Sequence, residues 1–379
     1  MKIAFISTYF YPFTGGAEAN CFYLAKELAK KHEVHVFTSD RKDNNIINKK
    51  EEIIDNIKIH RCKTLFRYKY YFAFYPLLLT KIFKENFDII HTHSLGFIWH
   101  DIVLLLKKLK NPKTKFVITP HGPFMALKDY PLWQKILKFK VKLFEKLINN
   151  IYNLTIQVNP YQVEWLKKDY NLKNIVYVPN GIDKSIFKNY NKEEFIKKYN
   201  LKNKFIISYI GRFHKYKGIQ DVIKVLPELI KKKPNLIFIA MGSDAGYLQE
   251  LKDLTKKLKL ENNILFIENI SEKEKLQALE SSEIFILPSE WEAFGITVLE
   301  AMAKENAIIS TKTEGGKFLV SKENGLLYDF GNLKKLETSI EKLINEKLRE
   351  NIQKDNLKKA KEFTWNKIAK NLYKEYNKL

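Results

Sequence analysis

Two glutamates, Glu292 and Glu300, stand eight residues apart in the run P-S-E-W-E-A-F-G-I-T-V-L-E-A-M-A that spans 288–303. A buried-strand pattern, Ile284–Leu287, feeds the first glutamate onto a loop, and the second falls inside the Ala/Leu/Met helix that follows. In open α/β sheets, ligands bind outside the carboxyl ends of the strands. Eight helical residues span roughly 12 Å. That is long for a glycosidase pair, whose carboxyls lie about 5 to 9.5 Å apart across one bond. The spacing suits two grips on one extended, polyhydroxylated ligand with an anion between them. Backbone N–H groups around Gly295, Ile296 and Thr297 face that anion, helped by the helix dipole. A nucleotide sugar meets both requirements. The plain alternative is a solvated Glu292 and a Glu300 on the surface of its own helix.

Cations follow an earlier strand in G-R-F-H-K-Y-K-G (211–218), where Arg212 and Lys217 sit between strand and helix. An arginine fork and a lysine point charge at a strand end neutralise a diphosphate. Near the N-terminus, Gly15 and Gly16 separate a strand from an amphipathic helix and allow close backbone approach. The G-x-G-x-x-G of dinucleotide sites is missing there, which disfavours a nicotinamide oxidoreductase. His121, in T-P-H-G-P-F (119–124), ends another strand, where an imidazole can hydrogen-bond a sugar hydroxyl or stabilise developing charge. His91 and His93 stand at another strand end at two-residue spacing, which can place two metal ligands on one face, but no suitably placed third ligand is evident, so no metal site is expected.

The elements that position these residues alternate between strand and helix throughout, the signature of α/β layers with a mainly parallel sheet. Strand patterns run from Lys2–Ser7 to Ile175–Val178, with one at Phe87–His91, and restart at Phe205–Gly211. The 379 residues suggest two domains. The expected division is an N-terminal acceptor-side domain over 1–183, a polar linker over 184–204 and a donor-binding domain over 205–362. The expected fold class is α/β, with two Rossmann-like domains facing each other across a central cleft, a favoured place for a ligand. No apolar run reaches the ~18 to 20 residues of a membrane span. Two cysteines, Cys21 and Cys62, make neither a disulfide scaffold nor a zinc site. The cytoplasm is the expected compartment. The net charge of +23 leaves two main explanations, a lysine-biased composition ahead of an anionic membrane surface. Nucleic acid is not an expected partner, because the lysines are dispersed and no nucleic-acid motif is present.

Taken in order, G15-G16, H121-G122, P-N-G-I-D (179–183), G-R-F with Lys217-Gly218, and the Glu292/Glu300 run resemble the retaining glycosyltransferases of family 4, of GT-B fold. The likeness includes F-T-W-N-K-I-A (363–369), which looks like the family's closing helix and would complete the N-terminal domain with 363–379. The resemblance implies that Glu292 holds the donor sugar's hydroxyls and Glu300 the ribose. Arg212 and Lys217 would bind the diphosphate and stabilise it as leaving group. The backbone at Phe294, Gly295, Ile296 and Thr297 would line the donor pocket, with Gly16 and His121 completing it on closure. Gly15, Gly16 and His121 form the expected acceptor side, and His121, Glu292, Arg212 and Lys217 the expected catalytic set. The implied reaction moves a hexose or N-acetylhexosamine from a nucleotide-diphosphate sugar to a glycan or lipid-linked acceptor, with retention and without cofactor or metal. Cell-surface polysaccharide or glycolipid assembly is the implied setting. A sugar-nucleotide epimerase and a non-catalytic nucleotide-sugar binding protein are the alternatives.

The chain departs from the family pattern at Ala293, Glu305-Asn306, Phe318-Leu319 and Phe266-Ile267-Glu268. Two N-terminal segments suit a lipid surface, the inner face of the plasma membrane being the expected site of peripheral attachment. One is 61–75, which interleaves cations with aromatics, and the other is 133–148, a basic amphipathic helix. A core-packed helix with a solvated lysine face is the competing expectation for the second.

Overall fold

The computed structural model describes all residues except 14, 43–44, 69–71, 94 and 122–131, and leaves out the side chains of residues 68, 72, 134, 137 and 138. The chain divides into two units, residues 1–180 with 365–379, and residues 181–364.

The first unit carries β1 (Lys2–Ser7), β2 (Glu33–Ser39), β3 (Arg41–Lys42), β4 (Asn45–Ile46), β5 (Glu51–Ile54) and β6 (Ile57–Cys62). It continues with β7 (Phe66–Tyr68), β8 (Phe72–Phe74), β9 (Ile89–His93), β10 (Lys115–Thr119), β11 (Leu154–Gln157) and β12 (Ile175–Tyr177). Its helices are α1 (Gly16–Leu28), α2 (Leu77–Lys84), α3 (Ile98–Lys110), α4 (Leu132–Ile148) and α5 (Val163–Tyr170). Eight strands form one sheet in the order β12-β11-β10-β9-β1-β2-β6-β5, while β3–β4 and β7–β8 are separate hairpins. Every pairing in the large sheet is parallel except β5 with β6. Strands such as β1 and β2 are buried almost throughout, as strands covered on both faces must be.

The chain leaves β1 toward β2 and β6, then returns to build β9, β10, β11 and β12 on the other side, so the strand order reverses between β1 and β9. The expected strand at Phe87–His91 runs instead over Ile89–His93, in register with Ile3 to Ser7. Asp88 marks its start by accepting the backbone N–H of Lys2 on its carboxylate at 2.7 Å. The shift draws His93 into the strand.

The second unit adds α6 (Lys192–Lys198), α7 (Ile219–Lys232), α8 (Leu248–Lys257), α9 (Glu272–Glu280), α10 (Ile296–Ala303), α11 (Glu314–Leu319), α12 (Leu333–Ile344) and α13 (Glu346–Ala360). Its strands are β13 (Phe205–Ile210), β14 (Leu236–Gly242), β15 (Ile264–Glu268), β16 (Ile284–Leu287), β17 (Ala307–Thr311) and β18 (Gly325–Tyr328). They order as β15-β14-β13-β16-β17-β18, all parallel, with the reversal between β13 and β16. The expected linker 184–204 is part of this unit. Ile186, Phe195 and Leu201 are buried anchors within its lysine-rich stretch. The backbone N–H of Tyr190 donates to Glu280, and Lys273 of α9 pairs with Glu194 of α6.

The chain closes in the first unit with α14 (Trp365–Tyr376), packed on α1. Trp365, Ile368, Ala369, Leu372 and Tyr376 join Phe5, Leu24 and Val36 in one core.

Candidate active site

In the second unit, the loops after β13 and β16 flank the strand-order reversal, the place where open α/β sheets bind ligands. Gly218 makes their close approach possible. It has φ +73°, and a Cβ there would lie 2.0 Å from the carbonyl oxygen of Pro288. The backbone N–H of Glu290 donates to the carbonyl of Tyr216 at 2.8 Å, tying the two loops together. Residues 75 apart in sequence then meet, and Lys217 Nζ donates to Glu292 Oε2 at 2.9 Å. Both are partly shielded, with side chains 13% and 22% exposed.

Tyr216 organises both cations. Arg212 Nη2 donates to its hydroxyl at 2.8 Å, and Lys217 Nζ lies 5.1 Å from its ring centroid. Sequence reasoning passed over Tyr216, although its place between Lys215 and Lys217 was a visible signal. Arg212 is exposed and Lys217 half-buried, so the cationic pair flanks the loop at two depths.

Beyond Glu292 the chain turns into α10 through Gly295, which caps the helix with φ +89° in the left-handed region. Phe294 and Gly295 are buried, while Ile296 and Thr297 are half-buried. The first backbone N–H groups of a helix lack intrahelical partners, so a turn of this kind can seat an anion. The backbone N–H of Gly315 donates to the Glu292 carbonyl at 3.0 Å and fixes the loop from below.

Glu300 is neither a surface residue nor a free carboxylate. Lys275 of α9 donates to its Oε1 at 2.8 Å and also pairs with Glu272. Burial opposes the Lys275 charge, but Glu300 and Glu272 together hold its ammonium above the ordinary lysine range. Lys275 is a site residue that sequence reasoning missed. The Ser271–Glu274 capping box marks where α9 begins, but only packing turns the next residue toward Glu300.

In the first unit, Gly15 and Gly16 lie exposed at the start of α1, and the Glu18 carboxylate sits over this turn. Lys42 neutralises the buried Glu18 at 2.8 Å. A Cβ on Gly15 would come within 2.2 Å of Glu18 Oε2, so glycine leaves room for the carboxylate. His121 follows β10 at φ +55°, with its Nε2 2.9 Å from Nδ1 of His93. Gly122, expected beside it, lies outside the described residues.

Burial keeps the histidines of this edge neutral, pushing His121 and His91 down to about 3 and His93 well below its usual range. Among the described residues, His93 Nε2 is buried without a partner. Protonated, that nitrogen is an unpaired donor; unprotonated, it is an unpaired acceptor, and orphaned buried N–H groups are the rarer of the two. The expected tautomer therefore has the His93 proton on Nδ1, donated to His121 Nε2, and the His121 proton on its Nδ1. His91 is engaged by Tyr376 at 2.6 Å and Thr119 at 2.7 Å.

In the segment 61–75, Lys63, Leu65 and Phe66 are exposed. Arg61, Cys62 and Tyr75 are buried, with Arg61 paired to Glu52 and donating to the Tyr11 carbonyl at 2.9 Å. Residues 69–71 of this segment lie outside the described residues. The helix at 133–148 is not packed as the core-facing alternative required. Trp133, Ile136, Phe139 and Leu143 are exposed, while Glu145 is buried.

Comparison with known proteins agrees with this arrangement. Residues 14–185 match the family described as Glycosyltransferase Family 4, and residues 191–361 match Glycosyl transferases group 1. An uncharacterized glycosyltransferase of Methanocaldococcus jannaschii is 25% identical, over 100% of this chain and 99% of its own. The N-acetyl-alpha-D-glucosaminyl L-malate synthase of Bacillus anthracis is 26% identical, over 90% of this chain and 88% of its own. Among solved structures, Anabaena HepE in complex with UDP superposes with a TM-score of 0.80 at 18% identity, covering 100% of both chains. The switch-point site, the two parallel sheets and these matches agree, and the chain belongs to the family 4 glycosyltransferases of GT-B fold.

Proposed function

We propose that this glycosyltransferase moves a hexose or N-acetylhexosamine from a nucleotide-diphosphate sugar, with retention of anomeric configuration, to a glycan or lipid-linked acceptor. The setting in this reading is cell-surface polysaccharide or glycolipid assembly, with the enzyme in the cytoplasm. The observation that carries the reading is the Lys217–Glu292 contact beside the N-terminus of α10. It sets a cation for phosphate next to a carboxylate for sugar hydroxyls. Glu300, held by Lys275 further along α10, is the second carboxylate and takes the ribose.

The bond that breaks is the one between the anomeric carbon and the diphosphate oxygen. Arg212 and Lys217 stabilise the charge that grows on that oxygen, a mainly electrostatic contribution. With two cations there, no metal ion is required, and activity is expected to persist in excess EDTA. Glu292 orients the sugar, and His121 is kept as the candidate catalytic residue of the first unit. Two similar proteins support the donor class, since HepE was solved with UDP and the Bacillus enzyme is named for an N-acetylglucosaminyl product.

The test is nucleotide release from a panel of UDP-, GDP- and ADP-sugars, followed by NMR of the anomeric proton of the product. Release from one donor with an axial product from an axial donor is expected. Inversion would overturn retention, and no release from any donor in the presence of membrane-extracted acceptor would overturn the donor reading. Sugar epimerised without acceptor would favour the epimerase alternative.

A further inference from the structure

Exposed apolar side chains are distributed unevenly in this molecule. Among the described residues, every exposed large hydrophobic except Phe330 and Leu348 lies in the first unit, and the longest run of them is on α4. Trp133 (54%), Ile136 (50%), Phe139 (60%), Leu143 (48%) and Leu147 (78%) recur at spacings of three and four, so they share one face of the helix and that face points outward. The opposite side seats α4 on the unit through the fully buried Glu145, with α3 and α5 as neighbours. A soluble surface rarely carries a contiguous apolar patch of this kind unless something covers it.

Charge identifies the cover. Among the described residues of α4, Lys135, Lys140, Lys142 and Lys146 carry every charge that reaches the surface, and the single acid, Glu145, is buried. Lys142 is paired with Asp169 at 3.0 Å. An apolar stripe among cations matches the boundary of an anionic bilayer, where the stripe enters the acyl region and the ammonium groups meet the headgroups. A second copy of this chain would set lysines against lysines. No described helix is long and apolar enough to cross a membrane.

The geometry points to the outward face of α4 as a docking surface for anionic lipid bilayers. This deepens the lipid-linked-acceptor reading, and vesicle binding itself is measured without donor or acceptor so that either can fail alone.

The experiment is co-sedimentation with vesicles of pure phosphatidylcholine and of phosphatidylcholine with 30% phosphatidylglycerol (about 100 mM salt, near one Debye length of 10 Å). Binding to the anionic vesicles only is expected. Lys135→Gln, Lys140→Gln and Lys146→Gln together should weaken it by about 100-fold. Phe139→Ser with Leu143→Ser should abolish it, while thermal melting and nucleotide release stay as in the wild type. Equal binding to both vesicle types, binding to neither, or undiminished binding by the variants would overturn the proposal. So would a concentration-dependent dimer in light scattering that the Phe139→Ser/Leu143→Ser variant dissolves, because the face would then belong to a second copy.

Discussion

Lys217 is held between the Glu292 carboxylate and the Tyr216 ring, so its ammonium is in place before any anion arrives. Lys217→Ala is expected to lower nucleotide release about 10²- to 10³-fold. Its melting temperature should change little, since a partly exposed ion pair contributes only about 0–1 kcal/mol. Steady-state release measured beside a thermal melt checks both, and an unchanged rate would remove Lys217 from the mechanism. The His93–His121 pair makes a second prediction at this scale. With ring-15N histidine, His121 should show the Nδ1–H tautomer in the wild type. His93→Phe, which removes the donor, should give a tautomer mixture and lower kcat more than it raises KM. An Nε2–H tautomer in the wild type would contradict the assignment.

At the scale of elements, α3 and α4 meet over two buried acids. Tyr152 donates to Asp101 Oδ1 at 3.0 Å, and burial pushes Asp101 up to about 7 and Glu145 well above the carboxylate range. A carboxyl whose folded pKa is raised stabilises the fold fully below its unfolded pKa, near 4. That contribution falls by about 1.4 kcal/mol per pH unit as pH rises through the window and is gone above the folded value. Asp101→Asn keeps an acceptor for Tyr152 and removes the titration. It should flatten the dependence of melting temperature on pH between about 4 and 7, with the largest gain over wild type near pH 8. A profile parallel to the wild type would show that Asp101 is not the group responsible. The turn after α10 is a simpler case, in which Glu305 adopts φ +56° where the family commonly has glycine. Its side chain is exposed, so the left-handed turn is kept at the cost of some backbone strain.

At the scale of the molecule, α14 ends the chain in the core of the first unit. Leu372 is fully buried there, and Leu372→Ala is expected to cost about 2–5 kcal/mol. Differential scanning calorimetry should place that loss in the transition of the first unit. A loss confined to the second unit would contradict this division of the chain.

The alternation of strand and helix, the loops that bear Arg212, Lys217 and Glu292, and the class of chemistry were all legible in the amino-acid order. Those features depend on local periodicity, on glycine at turns, and on charge types set at strand ends. Four things were decided only by packing. Lys217 met Glu292 because the strand order reverses between β13 and β16, which no local pattern encodes. Lys275 became the partner of Glu300 because two helices pack side by side. The stretch 184–204 proved part of a domain because three apolar anchors outweighed its polar composition. The apolar stripe of α4 could be read from spacing, but the direction it faces could not, because an amphipathic pattern names a face and leaves its partner to the tertiary fold.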